Sequence, residues 1–156
     1  MCYISYFKSP LGKIGIIEEN SSITHVFFEG EEPRNKEFTE KETPLLIQAK
    51  SQLTEYFLGT RKNFNLPLAP QGSDFMQRDW AELQKIPYGN TCSYKDIATA
   101  LGNPKACRAV GLANNRNPIA IIIPCHRVIG SNGDLVGYAG GLHLKIFLLE
   151  LEKRNT

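Results

Sequence analysis

Three short runs rich in Ile, Val, Tyr and Phe occupy residues 2–8, 13–18 and 22–29. They are separated only by Pro10-Leu11-Gly12 and Asn20-Ser21-Ser22. Connections this short leave no room for a crossover, so the chain must begin as an antiparallel meander. Residues 31–42 are charged and contain Pro33, which predicts a loop. Thr43-Pro44 then supplies an N-cap and a proline at the first helical position. Leu45, Leu46, Ala49, Leu53, Tyr56 and Phe57 follow at helical spacing, and Gly59 ends the helix. The stretch 65–72, Asn-Leu-Pro-Leu-Ala-Pro-Gln-Gly, reads as a linker. The expected organisation is an N-terminal domain over 1–70 and a C-terminal domain over 71–156.

The second half reads differently. Ser73 caps a helix whose apolar stripe is Phe75, Met76, Trp80, Leu83 and Ile86, a core face. Ser93 opens a third helix, with Asp96 reaching back as a shortened capping box. After Leu101-Gly102-Asn103-Pro104 a fourth helix is predicted over 105–114, with small residues Ala106, Ala109, Gly111 and Ala113. Two short helices about a glycine-containing turn form either a helical hairpin or a DNA-binding helix-turn-helix. A helix without bulk can press close to another surface, including a narrow groove.

Charge sharpens that choice. Residues 86–156 carry eight basic and four acidic side chains. No acidic residue lies between Asp96 and Asp134, where Lys105, Arg108, Arg116 and Arg127 fall. A one-sided basic surface suits a polyanion such as nucleic acid; a solvated face is the plainer alternative. The longest aliphatic run, 119–123, is far short of the roughly 20 residues a membrane span needs. The N-terminus lacks the apolar stretch of a secretory signal, so the expected location is the cytoplasm. Cys2, Cys92, Cys107 and Cys125 form no pair at zinc spacing. Cys2 and His25 alone would not close a metal site, and no metal is expected.

After Asn114-Asn115-Arg116-Asn117-Pro118, the run 119–123 predicts a short buried strand that delivers Pro124-Cys125-His126-Arg127-Val128. A thiol becomes a strong nucleophile only as thiolate, which takes an electropositive setting or a base. His126 and Arg127 offer both, although an arbitrary Cys-His pair is more often an inert buried cysteine beside a chance histidine.

The string Pro124-Cys125-His126-Arg127-Val128, following Arg116-Asn117-Pro118, resembles the active-site signature of the O6-alkylguanine-DNA alkyltransferases, the methylated-DNA–protein-cysteine methyltransferases. The likeness extends to Tyr56-Phe57-Leu58-Gly59, Leu66-Pro67-Leu68, the Trp80 helix, Ile86-Pro87-Tyr88-Gly89 and Ser93-Tyr94. It continues through Arg108-Ala109-Val110-Gly111, Gly137-Tyr138-Ala139-Gly140-Gly141 and 148–152, and so covers most of residues 50–156. Residues 1–45 match only in general pattern. The Gly-Tyr-Ala-Gly-Gly form is similar to the stand-alone bacterial type.

The resemblance implies an α/β chain. A small N-terminal α/β domain with an antiparallel sheet would precede a mainly helical domain carrying the helix-turn-helix. It implies repair of O6-alkylguanine in double-stranded DNA, with O4-alkylthymine as a further candidate lesion. The alkyl group would pass irreversibly to Cys125, once per protein molecule, with no cofactor and with a monomer sufficient. His126 would take the thiol proton through a water, and Glu152 would orient His126. Tyr94 would serve the base at N3, and the Ala139 N–H would bond O6. The Cys125 and Val128 carbonyls would accept from the exocyclic amine, with Tyr138 and Gly140 completing the pocket. Arg108 would fill the stack vacated by the flipped nucleotide. Lys105, Ala106, Ala109 and Arg116 would contact DNA, and Asn117 would brace the turn below the thiol.

Two departures stand out. Some members have serine where Ala139 stands, and zinc-binding members carry N-terminal ligands absent here. Three other readings remain open. A lesion-flagging alkyltransferase-like protein would typically have tryptophan in place of Cys125. A transcription factor would leave the Cys-His motif unexplained. A cysteine hydrolase would leave the basic helix-turn-helix unexplained.

Overall fold

The computed structural model describes every residue except Asn35 and Ala139. The chain divides into two compact units. The first comprises Met1–Gln71 with Pro118–Ala120, and the second comprises Gly72–Asn117 with Ile121–Thr156.

In the first unit the predicted meander forms strands β1 (Cys2–Ser9), β2 (Gly12–Glu19) and β3 (Ser22–Phe28), paired antiparallel. Ile14, Ile16 and Ile17 of β2 are fully buried, with Ile23 and Val26 of β3. Phe27 lies across Gly15: a Cβ there would sit 2.2 Å from the ring. Helix α1 (Pro44–Phe57) begins where Thr43 accepts the Leu46 N–H, and buries Leu46, Ala49, Leu53 and Tyr56. The predicted loop 31–42 contains a two-residue strand, β4 (Thr39–Glu40), parallel to β1. Two exposed residues carry no periodicity, so no sequence pattern marks them. The sheet order is β3-β2-β1-β4.

In the second unit α2 (Asp74–Leu83) starts at its Ser73 cap, and α3 (Tyr94–Ala100) carries the Ser93–Asp96 capping box. Strands β5 (Cys92–Ser93) and β6 (Val128–Ile129) pair in parallel. Helix α4 runs Cys107–Asn115, two residues later than the predicted start at Lys105. Asn103 is the reason. Its side chain takes the Lys105 N–H at 3.2 Å and its carbonyl takes the Ala106 N–H at 3.0 Å, holding both in the turn. The indole of Trp80 donates to the Ala113 carbonyl at 3.0 Å and ties α4 to α2. Helix α5 (Leu142–Arg154) closes the unit.

The expected strand at 119–123 is absent. Ile119 makes one isolated bridge to Val26, and the chain then turns through Ile121. All four isoleucines are buried. An unbroken apolar run reports burial, and here burial is met by a turn rather than a strand. Ile121 has φ 72°, a left-handed conformation that a β-branched residue rarely adopts.

Candidate active site

Cys125, His126 and Arg127 form one 3-10 turn and are all buried. Asn117, just beyond the end of α4, donates from Nδ2 to the Ile123 carbonyl at 2.8 Å and to Cys125 Sγ at 3.3 Å. The brace expected of Asn117 thus reaches the sulfur itself. Burial pushes the thiol up to about 11, against the opposing influence of the Asn117 bond and the Lys145 charge. The resting group at neutral pH is therefore the thiol, and a base is needed to remove its proton.

His126 Nε2 lies 2.6 Å from Glu152 Oε2. Burial lowers the imidazole below its ordinary range despite the pull of Glu152, so the ring is neutral at pH 7. Nε2 then donates to the carboxylate. Nδ1 is left as the basic atom, and it is buried with no hydrogen-bond partner among the described residues.

Glu152 also accepts from Arg127 Nε at 2.8 Å, from Arg127 Nη2 at 3.1 Å and from the Gly89 N–H at 3.1 Å. Burial alone would push its carboxyl up; the hydrogen bonds from His126 and Arg127 and the charge of Arg127 outweigh it and hold the group down at about 2. Gly89 has φ +81°, which suits glycine and aims its N–H at the acid. Arg127 Nη1 reaches the Ile86 carbonyl at 2.7 Å. The guanidinium is therefore spent on Glu152 and the α2–β5 loop. The expectation that Arg127 supplies the electropositive setting of the thiol is not met.

The cation near the sulfur is Lys145, which sequence reading missed. It is fully buried, and its ammonium donates to the carbonyls of Val128 at 2.6 Å and Val136 at 2.9 Å. Its position was legible in principle. Residues 145, 148 and 152 share one helical stripe, so a lysine interrupts the buried face that carries Leu148 and Glu152.

Tyr94 opens α3 and donates its hydroxyl to the Val136 carbonyl at 3.0 Å. Tyr94, Arg108, Gly111, Val136 and Gly137 line one open pocket, with Cys107, Asn115 and Ser131 at it as well. A Cβ on Gly111 would lie 3.8 Å from the Tyr94 ring, so a small residue lets α4 approach the tyrosine. The carbonyls expected to receive the base already accept protein donors: Cys125 from the Val128 N–H, and Val128 from Lys145. A carbonyl keeps a second lone pair for another donor. Val128 is buried, while Tyr138 and Gly140 are partly exposed. Ala139 lies outside the described residues.

The outer face of α4 carries Arg108, Ala109, Leu112, Asn115 and Arg116, all exposed at helical spacing. It is less uniformly small than expected, since Leu112 is 53% exposed and Ala113 points inward against α2. Lys105 is exposed and Ala106 partly so, both ahead of the helix. All four cysteines are free thiols. Among the described residues, no group of three or more His, Cys, Asp or Glu is placed to hold a metal ion. No helix among them is long and apolar enough to cross a membrane.

A sheet unit, a helical unit and a buried Cys-His-Glu constellation define a class of proteins built around a buried thiol. Comparison with known proteins narrows it. Residues 74–154 match the 6-O-methylguanine DNA methyltransferase DNA-binding domain, and residues 2–70 match the ribonuclease-like domain of the same proteins. The constitutive methylated-DNA–protein-cysteine methyltransferase of Bacillus subtilis is 50% identical over 98% of this chain and 96% of its own. The Methanosarcina acetivorans methylated-DNA–protein-cysteine methyltransferase is 48% identical over 96% and 97%. The crystal structure of Mycobacterium tuberculosis O6-methylguanine methyltransferase superposes with TM-score 0.92 at 44% identity, covering 100% of this chain and 95% of that one. The M. tuberculosis protein in complex with DNA gives the same TM-score and identity over 99% and 94%. The chain belongs to the methylated-DNA–protein-cysteine methyltransferase family.

Proposed function

We infer that the protein repairs DNA by moving an alkyl group from O6 of guanine to its own Cys125. The observation that carries this is the buried thiol held by Asn117, next in the chain to a histidine whose tautomer Glu152 fixes. The thiol proton leaves through a water to His126 Nδ1, and the sulfur attacks the alkyl carbon in line. The S–C bond forms as the O6–C bond breaks, and its electron pair stays on the guanine. A proton returned to the base restores ordinary guanine, so no cofactor is consumed.

Tyr94 is the donor to the base at N3, exchanging its present bond to the Val136 carbonyl for one to the substrate. Lys145 opposes the charge that develops on sulfur. Val128, Tyr138, Ala139 and Gly140 form the remaining pocket wall. Because the O6 position lies inside the duplex, the nucleotide must flip out. Arg108, exposed on α4 beside the Tyr94 pocket, takes its place in the stack. Lys105, Ala106, Ala109 and Arg116 meet the DNA around it. The thioether product has no thiol-exchange route back, so each molecule acts once, as a monomer and in the cytoplasm.

The test is duplex DNA with a radiolabelled methyl on guanine O6. One label per protein should appear on the peptide containing Cys125. Cys125→Ser should take none yet still bind DNA. Labelling of that variant at the wild-type rate would remove Cys125 from the mechanism.

A further inference from the structure

Helix α2 buries an acid that the mechanism above does not use. Asp79 is fully buried, and among the described residues no cation pairs with it. Its neighbour Arg78 is turned away, donating to the Leu101 carbonyl at 2.8 Å. The partner of Asp79 is Asn114 on α4. With the amide nitrogen facing the acid, Nδ2 lies 2.6 Å from Oδ2, 3.2 Å from Oδ1 and 3.2 Å from the Val110 carbonyl. The opposite orientation would set oxygen against oxygen.

Three links connect this pair to the thiol. Trp80, next to Asp79, holds the Ala113 carbonyl, so two successive residues of α2 grip two successive residues at the end of α4. The Asn114 carbonyl accepts the Asn117 N–H at 3.1 Å. The Asn117 side chain then bonds the Ile123 carbonyl and Cys125 Sγ. An apolar contact between α2 and α4 would stabilise the helices as well, because a buried carboxylate without a cation is costly. It would also allow them to slide. A directional acid–amide pair fixes one register, and Asn117 needs that register to reach the sulfur.

We propose that Asp79 and Asn114 are a positioning pair for alkyl transfer, setting the place and the ionisation of Cys125 through the end of α4 and the Asn117 turn. This rests on the reading of Cys125 as the alkyl acceptor. Burial pushes the Asp79 carboxyl up, the Asn114 amide bonds favour its ionised form, and that charge disfavours the thiolate. The charged groups around it are few. Its charge acts on Cys125 in the 3-10 turn, and the Lys145 charge acts on the same thiol from α5 in the opposite sense. Lys95 and Asp96 on α3 and Arg108 on α4 are exposed.

The test uses the full chain and three variants: Asp79→Asn, Asn114→Leu and the exchange Asp79→Asn with Asn114→Asp. Single-turnover methyl transfer from duplex DNA is measured alongside the pH profile of Cys125 alkylation by iodoacetamide. Asp79→Asn keeps the volume and removes the charge, so its alkylation profile should move to lower pH. Asn114→Leu leaves the acid unpaired, and its maximal transfer rate should fall about tenfold with little change in DNA affinity. The exchange should restore most of that rate. If Asn114→Leu fails to melt cooperatively, the Asp79→Asn profile decides. An unmoved Asp79→Asn profile, or an exchange no faster than Asn114→Leu alone, would overturn the proposal while wild-type labelling of Cys125 stood. Absence of label on wild-type Cys125 would overturn the acceptor reading and this proposal together.

Discussion

Replacing Glu152 by glutamine removes one charge and leaves four donors facing the same place. His126 Nε2, Arg127 Nε and Nη2 and the Gly89 N–H all point at its oxygens. The new amide nitrogen must meet at least one of them as donor against donor. The size of the effect follows by two routes. Removing one partner from a buried ion pair costs about 3–5 kcal/mol. Separately, a carboxyl lowered from 4.5 to about 2 on folding contributes about 3 kcal/mol at neutral pH. Because the folded-state value is depressed, this contribution is complete above 4.5 and is lost as the pH falls toward 2. Urea unfolding at pH 7 should show Glu152→Gln weaker by about 3 kcal/mol. Between pH 5 and 3 the wild type should lose stability more steeply than the variant, and the two should converge. Transfer should slow by roughly two to four orders of magnitude, since the imidazole is no longer held with Nδ1 free. A variant within 0.5 kcal/mol of wild type, with parallel acid slopes, would refute the network as the element that sets His126.

Three further outcomes are expected. Arg108→Ala should lose much more activity on duplex DNA than on free O6-alkylguanine base, because a replacement for lost stacking matters only in a helix; equal losses would count against Arg108. Binding to undamaged DNA should weaken with salt and show little sequence preference, measured by titration at several salt concentrations, because the outer face of α4 carries two arginines and no acidic side chain. Methylation of Cys125 should lower the melting temperature in calorimetry, since a methyl added beside Asn117 Nδ2 overpacks the site at about 1–3 kcal/mol, and each kcal/mol is worth about 2–4 °C; an unchanged melting temperature would show slack in the pocket.

Local signals carried far in this sequence. Thr43-Pro44, Ser73 and the Ser93–Asp96 box mark helix starts because a cap is decided within four residues. The meander was readable because its turns are short. What the sequence hid depends on distant partners. The run 119–123 looks like a strand until it makes only a single bridge, Ile119 to Val26. The start of α4 depends on how Asn103 spends its side chain. Arg127 looks like a neighbour of the thiol, but Glu152, 25 residues away, claims it. Lys145 and Asp79 look like surface charges until folding encloses them, one against carbonyls and the other against an amide.

The chain leaves the helical unit after Asn117, spends Pro118–Ala120 in the sheet unit and returns at Ile121. There the Val26 N–H meets the Pro118 carbonyl at 2.9 Å, and the Ala120 N–H meets the Val26 carbonyl at 3.0 Å. The first residue on return is the left-handed Ile121, a conformation that costs roughly 1–3 kcal/mol and persists only when its surroundings dictate it. The two halves are thus interleaved rather than strung in series. A recombination event, or an engineer's scissors, placed in the linker near residue 71 would separate the genes of two modules without separating the modules. The helical piece would carry off three residues cut loose from their sheet. It would also carry an isoleucine free to relax four positions before the reactive cysteine.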